Sequence, residues 1–417
     1  MNIIDELKWR GAINQTSDED GLRELTTKKS IGLYCGIDPT GDSMHIGHLI
    51  PFMILKRFQL AGHKPVIVIG GATGSIGDPS GKKSERVLQT MDQVHHNQEA
   101  LKGQMVKLFG EDQFRLVNNY DWLSKLSLLD FLRDYGKLFN VKTMLNKEVV
   151  ESRLEVGISF TEFTYQILQS IDYLTLYREQ DVQLQIGGGD QWGNITAGLD
   201  LIRRVEGPDT PVFALTIPLL LKSDGTKFGK SEGGNIWLNP DKTTPYEFYQ
   251  FWLNQEDSDV VKFLKYFTFL DEDEINDLAE QVKTEPWKRA AQRRLAEEVT
   301  KFVHGEAALE QAEKITQALF SGDVKALNAD EIEQGFKAFP SVETTSATQN
   351  IVDFLADSGI EKSRRQARED ITNGAITIDG DKQTDVETKI EPTAMFDGKF
   401  VIVRRGKKRY FLARVSD

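Results

Sequence analysis

An α/β fold is predicted for this chain: an open, mostly parallel sheet carrying helices, then an α-helical region, then a small separate α+β module. Three observations predict it. Ile31 to Cys35 and Pro65 to Gly70 are β-prone runs separated by one apolar helical stretch, Leu49 to Leu60, which makes a strand–helix–strand unit. The run Pro65-Val66-Ile67-Val68-Ile69-Gly70 has no polar alternation, the pattern of a strand covered on both faces. The same order of strand, glycine loop and acid returns at Val182 to Asn194, and the composition changes near 340–350.

The 417 residues allow two or three domains with ample core, and the formal net charge of −13 excludes a surface that is basic throughout. Any polyanionic partner must be met by local patches. The single cysteine, Cys35, excludes an internal disulfide and suits a reducing cytoplasm. The acidic start Met1 to Leu7 lacks the basic and apolar regions of a signal peptide, and no apolar stretch is long enough to span a bilayer.

Taken in order, residues 3–10 and 18–28 read as short helices. After the first strand comes Asp38-Pro39-Thr40-Gly41 turn chemistry, and then His45-Ile46-Gly47-His48 at the mouth of a helix. Pro51, tolerated early in a helix, places the start near Gly47, and Gly62 stops it. A helix start at the carboxyl edge of a parallel sheet directs N–H groups and the positive dipole end at an anion. Histidine donates to phosphate, and Gly47 leaves room for a base or ribose.

The loop Gly70 to Ser84 is glycine-rich and ends in cations, but it is not a P-loop, because Ile76 stands where that motif needs glycine. It carries Lys82, Lys83 and Arg86 towards an anion, with Asp78 at a glycine turn. Residues 91–155 read as mainly helical, with a short strand at 114–117; Phe131, Leu132, Tyr135, Leu138 and Phe139 make a core or subunit face. Ser159 and Glu162 cap a helix on which Tyr165, Gln169 and Asp172 share one face. A phenol, an amide and a carboxylate make a poor core stripe and a good pocket wall for an amine or hydroxyl.

After the strand at 182–186, Asp190 in Gly187 to Asn194 suits ribose hydroxyls. A strand at 212–216 precedes Lys222 to Gly234, where Lys227 and Lys230, followed by Ser231, stand among glycines and are able to close two ammonium groups onto a triphosphate. From Thr244, capped by Glu247, to about Phe320 the chain reads as helical. Pro340 to Gln349, polar and without periodicity, reads as a linker. The tail has its own small core, including Ile351, Leu355, Ile371, Ile376, Phe400, Val401, Val403 and Leu412, and two basic clusters: Lys362, Arg364, Arg365, Arg368, and Arg404, Arg405, Lys407, Lys408, Arg409. Residues 350–417 hold 13 Lys and Arg against 12 Asp and Glu, so the rest carries the negative charge. That is the footprint of an RNA-binding module.

The motifs His45-Ile46-Gly47-His48 and Lys227-Phe228-Gly229-Lys230-Ser231 resemble the paired signatures of class I aminoacyl-tRNA synthetases. With Tyr34 to Thr40, Gly77 to Lys82, Tyr165 to Gln169 and Gly188 to Asn194, essentially the whole chain resembles the bacterial tyrosyl-tRNA synthetase family. The resemblance implies a Rossmann-like catalytic domain with a helical insertion at 1–222, the lysine loop and an α-helical domain at 223–320, a linker region at 321–347 and a small RNA-binding domain at 348–417. It implies that Tyr34 and Asp172 meet the phenol of L-tyrosine, that Asp78, Tyr165 and Gln169 hold its ammonium group, and that Gln191 lies near the reacting carboxylate. Cys35, Gly36, Asp38, Gly47, His48, Asp190, Lys230 and Ser231 would contact ATP. Thr40, His45, His48, Lys82, Arg86, Lys227 and Lys230 would hold the departing pyrophosphate. Arg364, Arg365, Arg368, Arg404, Arg405, Lys407 and Lys408 would meet tRNA.

The chemistry required agrees, since an ionised carboxylate attacks the α-phosphorus without a general base and needs alignment and charge stabilisation instead. The family implies ATP as substrate with Mg2+, a homodimer through the apolar 131–160 region and a cytoplasmic location, without a membrane. No organic cofactor is expected, and no zinc, because Cys35 is alone and His95-His96 has no partners at ligand spacing. Two other readings compete: a tryptophan-specific synthetase or related nucleotidyltransferase, opposed by Tyr34 with Asp172 and by the tail, and an RNA-binding regulator with a relic catalytic fold, opposed by the full set of lysines and histidines.

Overall fold

The apolar runs form the centre of a six-stranded sheet: β1 (Gln15–Thr16), β2 (Gly32–Ile37), β3 (Lys64–Ile69), β4 (Arg115–Asn118), β5 (Val182–Gly188) and β6 (Phe213–Ile217), in the order β1-β6-β5-β2-β3-β4. All pairings are parallel except the short edge pair of β1 with β6. In the computed structural model the chain is described except for residues 81–88, 152, 156, 224, 226–227, 232–233, 338, 407–408 and 417, and the side chains of 148–149 and 230–231. Its contacts divide it into two units, 1–242 with 253–299, and 243–252 with 300–417.

In the first unit β2, β3 and β5 are almost wholly buried, as their uninterrupted apolar character requires. Each fully buried Val, Ile or Leu contributes about 1.5–3 kcal/mol. The helices expected before the first strand are α1 (Ile3–Trp9) and α2 (Glu19–Lys28). α3 (Ile46–Leu60) joins β2 to β3, and α4 (Met91–Phe109) precedes β4. α5 (Phe160–Gln180), capped by Ser159, packs on α6 (Trp192–Glu206). From β2 the chain builds outward through β3 and β4, then returns to the other side of β2 with β5 and β6. The direction of winding thus reverses between β2 and β5, where an open parallel sheet forms a crevice at its carboxyl edge. α7 (Asp257–Phe267) also belongs to this unit.

The second unit corrects the expected linker. Within 321–347 the structure has α9 (Ala329–Phe336), which follows α8 (Glu306–Ser321), and the polar stretch contributes a strand, Ser341–Thr345, parallel to Arg409–Ser416. The strand has no apolar alternation because it is an edge strand with only Thr344 buried. The five-stranded sheet also holds Phe400–Arg405, Ile376–Ile378 and Asp381–Gln383. One face, with Val401, Val403 and Ala413, packs on α10 (Ile351–Asp357) and α11 (Arg364–Thr372). The other, with Phe400, Ile402 and Leu412, packs on Ile315, Ile332 and Phe336 of α8 and α9. The tail strands therefore serve two cores, where the sequence reading expected one small core after residue 348.

Candidate active site

At the carboxyl ends of β2 and β5 lies a cavity of about 230 Å3. Twelve residues singled out from the sequence line it: Tyr34, Cys35, Gly36, Asp38, Thr40, His48, Pro51, Asp78, Tyr165, Gln169, Asp172 and Gln191. The steps of four and three along α5 do put Tyr165, Gln169 and Asp172 on one face, turned into the cavity.

The buried end is built around Asp172, which is 4% exposed. Asn119 Nδ2 donates to its Oδ2 at 3.0 Å and Trp122 Nε1 to its Oδ1 at 2.7 Å. Burial pushes the carboxyl up to about 7, against the pull of those two donors towards the ionised form. Tyr34, 2% exposed, points a phenol oxygen that has no hydrogen-bond partner among the described residues, and burial, then the charge of Asp172, raises that phenol well above its ordinary value. Gln185 Oε1 is likewise buried and unpartnered in the cavity wall. Buried polar atoms left open beside a carboxylate are the acceptors and donors of a hydroxyl-bearing ligand.

Towards the middle, Asp38 accepts from Tyr165 Oη at 3.0 Å and from Thr73 Oγ1 at 2.7 Å. Gly70 permits this, since a Cβ there would stand 2.0 Å from Asp38 Oδ1. Opposite, Gln191 Nε2 donates to Asp78 Oδ2 at 2.6 Å and Ser80 N to Asp78 Oδ1 at 2.9 Å, while Asn194 Nδ2 reaches Ser80 Oγ at 3.2 Å. Cys35 is a neutral thiol in the wall, pushed up to about 12 by burial. Asp38, Asp78 and Asp172 make a cavity that favours a cation at its centre.

At the mouth, α3 begins at Ile46, one residue earlier than expected, with His45 as its N-cap. His45 Nδ1 accepts from Gly47 N at 3.0 Å and His48 Nδ1 from His45 N at 3.4 Å, and the two rings stack at 3.9 Å. In a neutral ring this leaves the proton on Nε2, the donor suited to a phosphate. The histidines are thus caps as well as candidate ligands. Pro51 falls in the second turn rather than the first, and having no N–H it leaves the Gly47 carbonyl without its helical donor.

The lysine motif returns to this helix start. Ile46 N donates to Ile236 O at 3.0 Å and Leu238 N to Met44 O at 2.8 Å. Gly229, at φ +107°, comes so close that a Cβ on it would lie 3.5 Å from Gly47 N. The two motifs, some 180 residues apart in the chain, are therefore neighbours. Lys82, Arg86 and Lys227 lie outside the described residues, as do the side chains of Lys230 and Ser231. His45, Gly47 and Asp190 are described but do not line the cavity; Asp190 is exposed in the turn before α6.

Sequence reasoning missed Asn119, Trp122, Thr73, Gly70 and Gln185. The signal for the first two was present: Asn118-Asn119-Tyr120-Asp121-Trp122 is polar chain immediately after a parallel strand, where ligand-facing groups collect. In the tail, Arg364 is paired with Asp353 and Asp357, and Arg405 with Glu361 and Asp370, at 2.7–3.0 Å. Arg404 is half-buried against Tyr410 and Thr377. Arg365 and Arg368 are exposed and carry no ion pair among the described residues, and Lys407 and Lys408 lie outside them. Among the described residues no group of three or more His, Cys, Asp or Glu is arranged to hold a metal ion, and no helix is long and apolar enough to cross a membrane.

Comparison with known proteins bears directly on this site. Residues 26–321 match the family model for tRNA synthetases class I (W and Y), and residues 331–413 match the tyrosine–tRNA ligase SYY-like C-terminal domain. The chain is 76% identical over 417 residues to a tyrosine–tRNA ligase of Pediococcus pentosaceus and 72% identical over 416 residues to one of Limosilactobacillus reuteri, covering 100% of both chains in each case. A C-terminally truncated mitochondrial tyrosyl-tRNA synthetase of Aspergillus nidulans is similar in structure, with 32% identity and a TM-score of 0.70 over 76% of this chain and 94% of that one. Full-length identity at this level, two matching family models and the meeting of the two signature motifs at the start of α3 have a single reading: the chain belongs to the tyrosine–tRNA ligases, within the class I aminoacyl-tRNA synthetases.

Proposed function

We infer that the chain ligates L-tyrosine to tRNA in two steps at this cavity. In the first, a carboxylate oxygen of tyrosine attacks the α-phosphorus of ATP and pyrophosphate leaves. In the second, a hydroxyl of the terminal adenosine of tRNA attacks the carbonyl carbon of tyrosyl-adenylate and AMP leaves. The observation that carries this reading is the buried pair of Tyr34 and Asp172, with an unpartnered phenol oxygen beside a carboxylate held by two donors. A phenolic substrate satisfies both groups, giving its proton to Asp172 and accepting one from Tyr34. Phenylalanine and the indole of tryptophan leave at least one of them unpaired and buried.

Asp78, Tyr165 and Gln169 surround the substrate ammonium, and Gln191, tied to Asp78, orients the carboxylate. Asp38 and Asp190 face the ribose hydroxyls, with Cys35, Gly36 and Gly47 against the adenosine. Thr40, His45 and His48 meet the phosphates at the helix start, together with Lys82, Arg86, Lys227, Lys230 and Ser231. Magnesium enters with ATP as part of the substrate, neutralising charge on its phosphates.

In the tail, Arg365 and Arg368 carry tRNA contact with Lys407 and Lys408, whereas Arg364 and Arg405 are engaged within the unit. A homodimer forms through the apolar face around 131–160, supported by exposed Leu128, Leu129, Leu132, Val141 and Phe160. The enzyme works in the cytoplasm. Charging of tRNA with radiolabelled tyrosine tests the function: ATP-dependent, acid-precipitable tyrosine is expected, and charging with tryptophan instead would refute the assignment.

A further inference from the structure

Outside the cavity, α7 holds a buried carboxylate that the reaction scheme leaves unused. Asp259, in the first turn of α7, is 2% exposed. Its Oδ2 accepts from both Ser223 N at 3.0 Å and Ser223 Oγ at 3.1 Å, and its Oδ1 from Lys262 Nζ at 2.9 Å. The same ammonium donates to the carbonyl of Leu221 at 2.5 Å. One turn further along α7, Phe228 is buried against Phe263 and Phe267, with ring centroids 4.6 and 5.1 Å apart, and Phe228 N donates to Leu220 O at 3.1 Å.

Ser223 and Phe228 bracket the entry to the lysine motif, and Phe228 stands between Lys227 and Gly229-Lys230 in the chain. The exit, Ile236 to Leu238, is bonded to Met44 and Ile46 as described above. Both ends are therefore fixed, one to the histidine helix and the other to α7.

We propose that Asp259 is a positioning residue for the lysine motif: by holding Ser223, with Phe228 seated on α7 beside it, it sets where Lys230 meets the phosphates. This rests on the ligase reading. Hydrogen bonds to an ionised carboxylate are roughly twice as strong as neutral ones, and Asp259 holds Ser223 through two of them. Displacing a phosphate-binding group by about 1 Å is enough to slow chemistry by about 100-fold. Tyrosine binding, at the buried end of the cavity around Asp172, should be untouched.

The experiment is tyrosine-dependent ATP–pyrophosphate exchange on the full chain with Asp259→Ala, Asp259→Asn and Phe228→Ala. Asp259→Ala is expected to lower kcat by about 10- to 100-fold. Tyrosine affinity, measured by equilibrium dialysis, should stay within about two-fold of wild type. Asp259→Asn, whose amide oxygen still accepts from Ser223 N, should recover most of the rate. Phe228→Ala leaves the first turn of α7 intact and should repeat the kcat loss.

A double-mutant cycle separates positioning from general damage. With Lys230→Ala already present, Asp259→Ala should cost little more, because the group it positions is gone. An Asp259→Ala enzyme with wild-type kcat, or one whose full loss persists in the Lys230→Ala background, would overturn the proposal while wild-type exchange still upheld the ligase reading. A wild type without tyrosine-dependent exchange would sink both.

Discussion

Trp122→Phe probes the buried end of the cavity through a residue that never lines it. The substitution keeps an aromatic ring but removes the 2.7 Å donor to Asp172 Oδ1. Hydrogen bonds to charged groups are worth about 1.5–3 kcal/mol, so the carboxyl should rise by ~1 to 2 pH units. Asp172 starts at about 7, half-ionised at neutral pH. Raising it to ~8 or ~9 leaves roughly a tenth or a hundredth ionised at pH 7, a loss of about 5- to 50-fold in the form that accepts the substrate phenol proton.

The sign follows from linkage: a ligand that prefers the ionised carboxylate binds more tightly as pH rises through the carboxyl pKa. Tyrosine affinity of the wild type should therefore improve between pH 6 and 8, and that of Trp122→Phe should lag, recovering towards pH 9. Equilibrium dialysis at a series of pH values gives both curves. Phenylalanine, which has no phenol, is the control and should bind weakly with little pH dependence in either protein. Parallel tyrosine curves for the two proteins, offset but unshifted along the pH axis, would refute the reasoning, because they would mean that the lost ring volume and not the lost donor weakens binding.

Other expectations concern the rest of the chain. Tyr34→Phe removes the unpartnered phenol oxygen and should lower discrimination between tyrosine and phenylalanine in the exchange reaction by ~5- to 10-fold, about one neutral hydrogen bond; unchanged discrimination would place phenol recognition elsewhere. Lys230→Ala should cut kcat for exchange by at least ~100-fold with tyrosine affinity intact, and a normal rate would remove the lysine from the chemistry. Arg365→Ala with Arg368→Ala should weaken tRNA binding and reduce the magnitude of its log–log salt slope by about 2, without altering exchange. Arg364→Ala should change that slope much less, because its guanidinium already serves Asp353 and Asp357; equal slopes for the two variants would contradict the revised RNA face.

Most of the cavity was legible because its residues sit on periodic elements. Tyr165, Gln169 and Asp172 are set by helix geometry alone, and Tyr34 to Asp38 by the end of an apolar strand. Asn119 and Trp122 escaped because they lie beyond a short strand whose register no local pattern declares; only pairing with β3 brings them to Asp172. Residue type alone did not decide between capping and phosphate binding for His45 and His48, since a cap bond depends on the ring rotamer.

The linker was misread for a physical reason. Ser341–Thr345 pairs its backbone with Arg409–Ser416 but exposes most side chains, so hydropathy sees a loop where hydrogen bonds make a strand. A cluster of arginines shows potential in sequence, whereas the acids that pair with Arg364 and Arg405 are brought near only by the fold.

The central claim is that one cavity selects tyrosine by its phenol and activates it with ATP. ATP–pyrophosphate exchange by the full chain, measured with each of the twenty amino acids in turn, tests it most directly. Tyrosine alone should support rapid exchange, with phenylalanine and tryptophan near background. Exchange driven by tryptophan, or by phenylalanine as well as by tyrosine, would contradict the account.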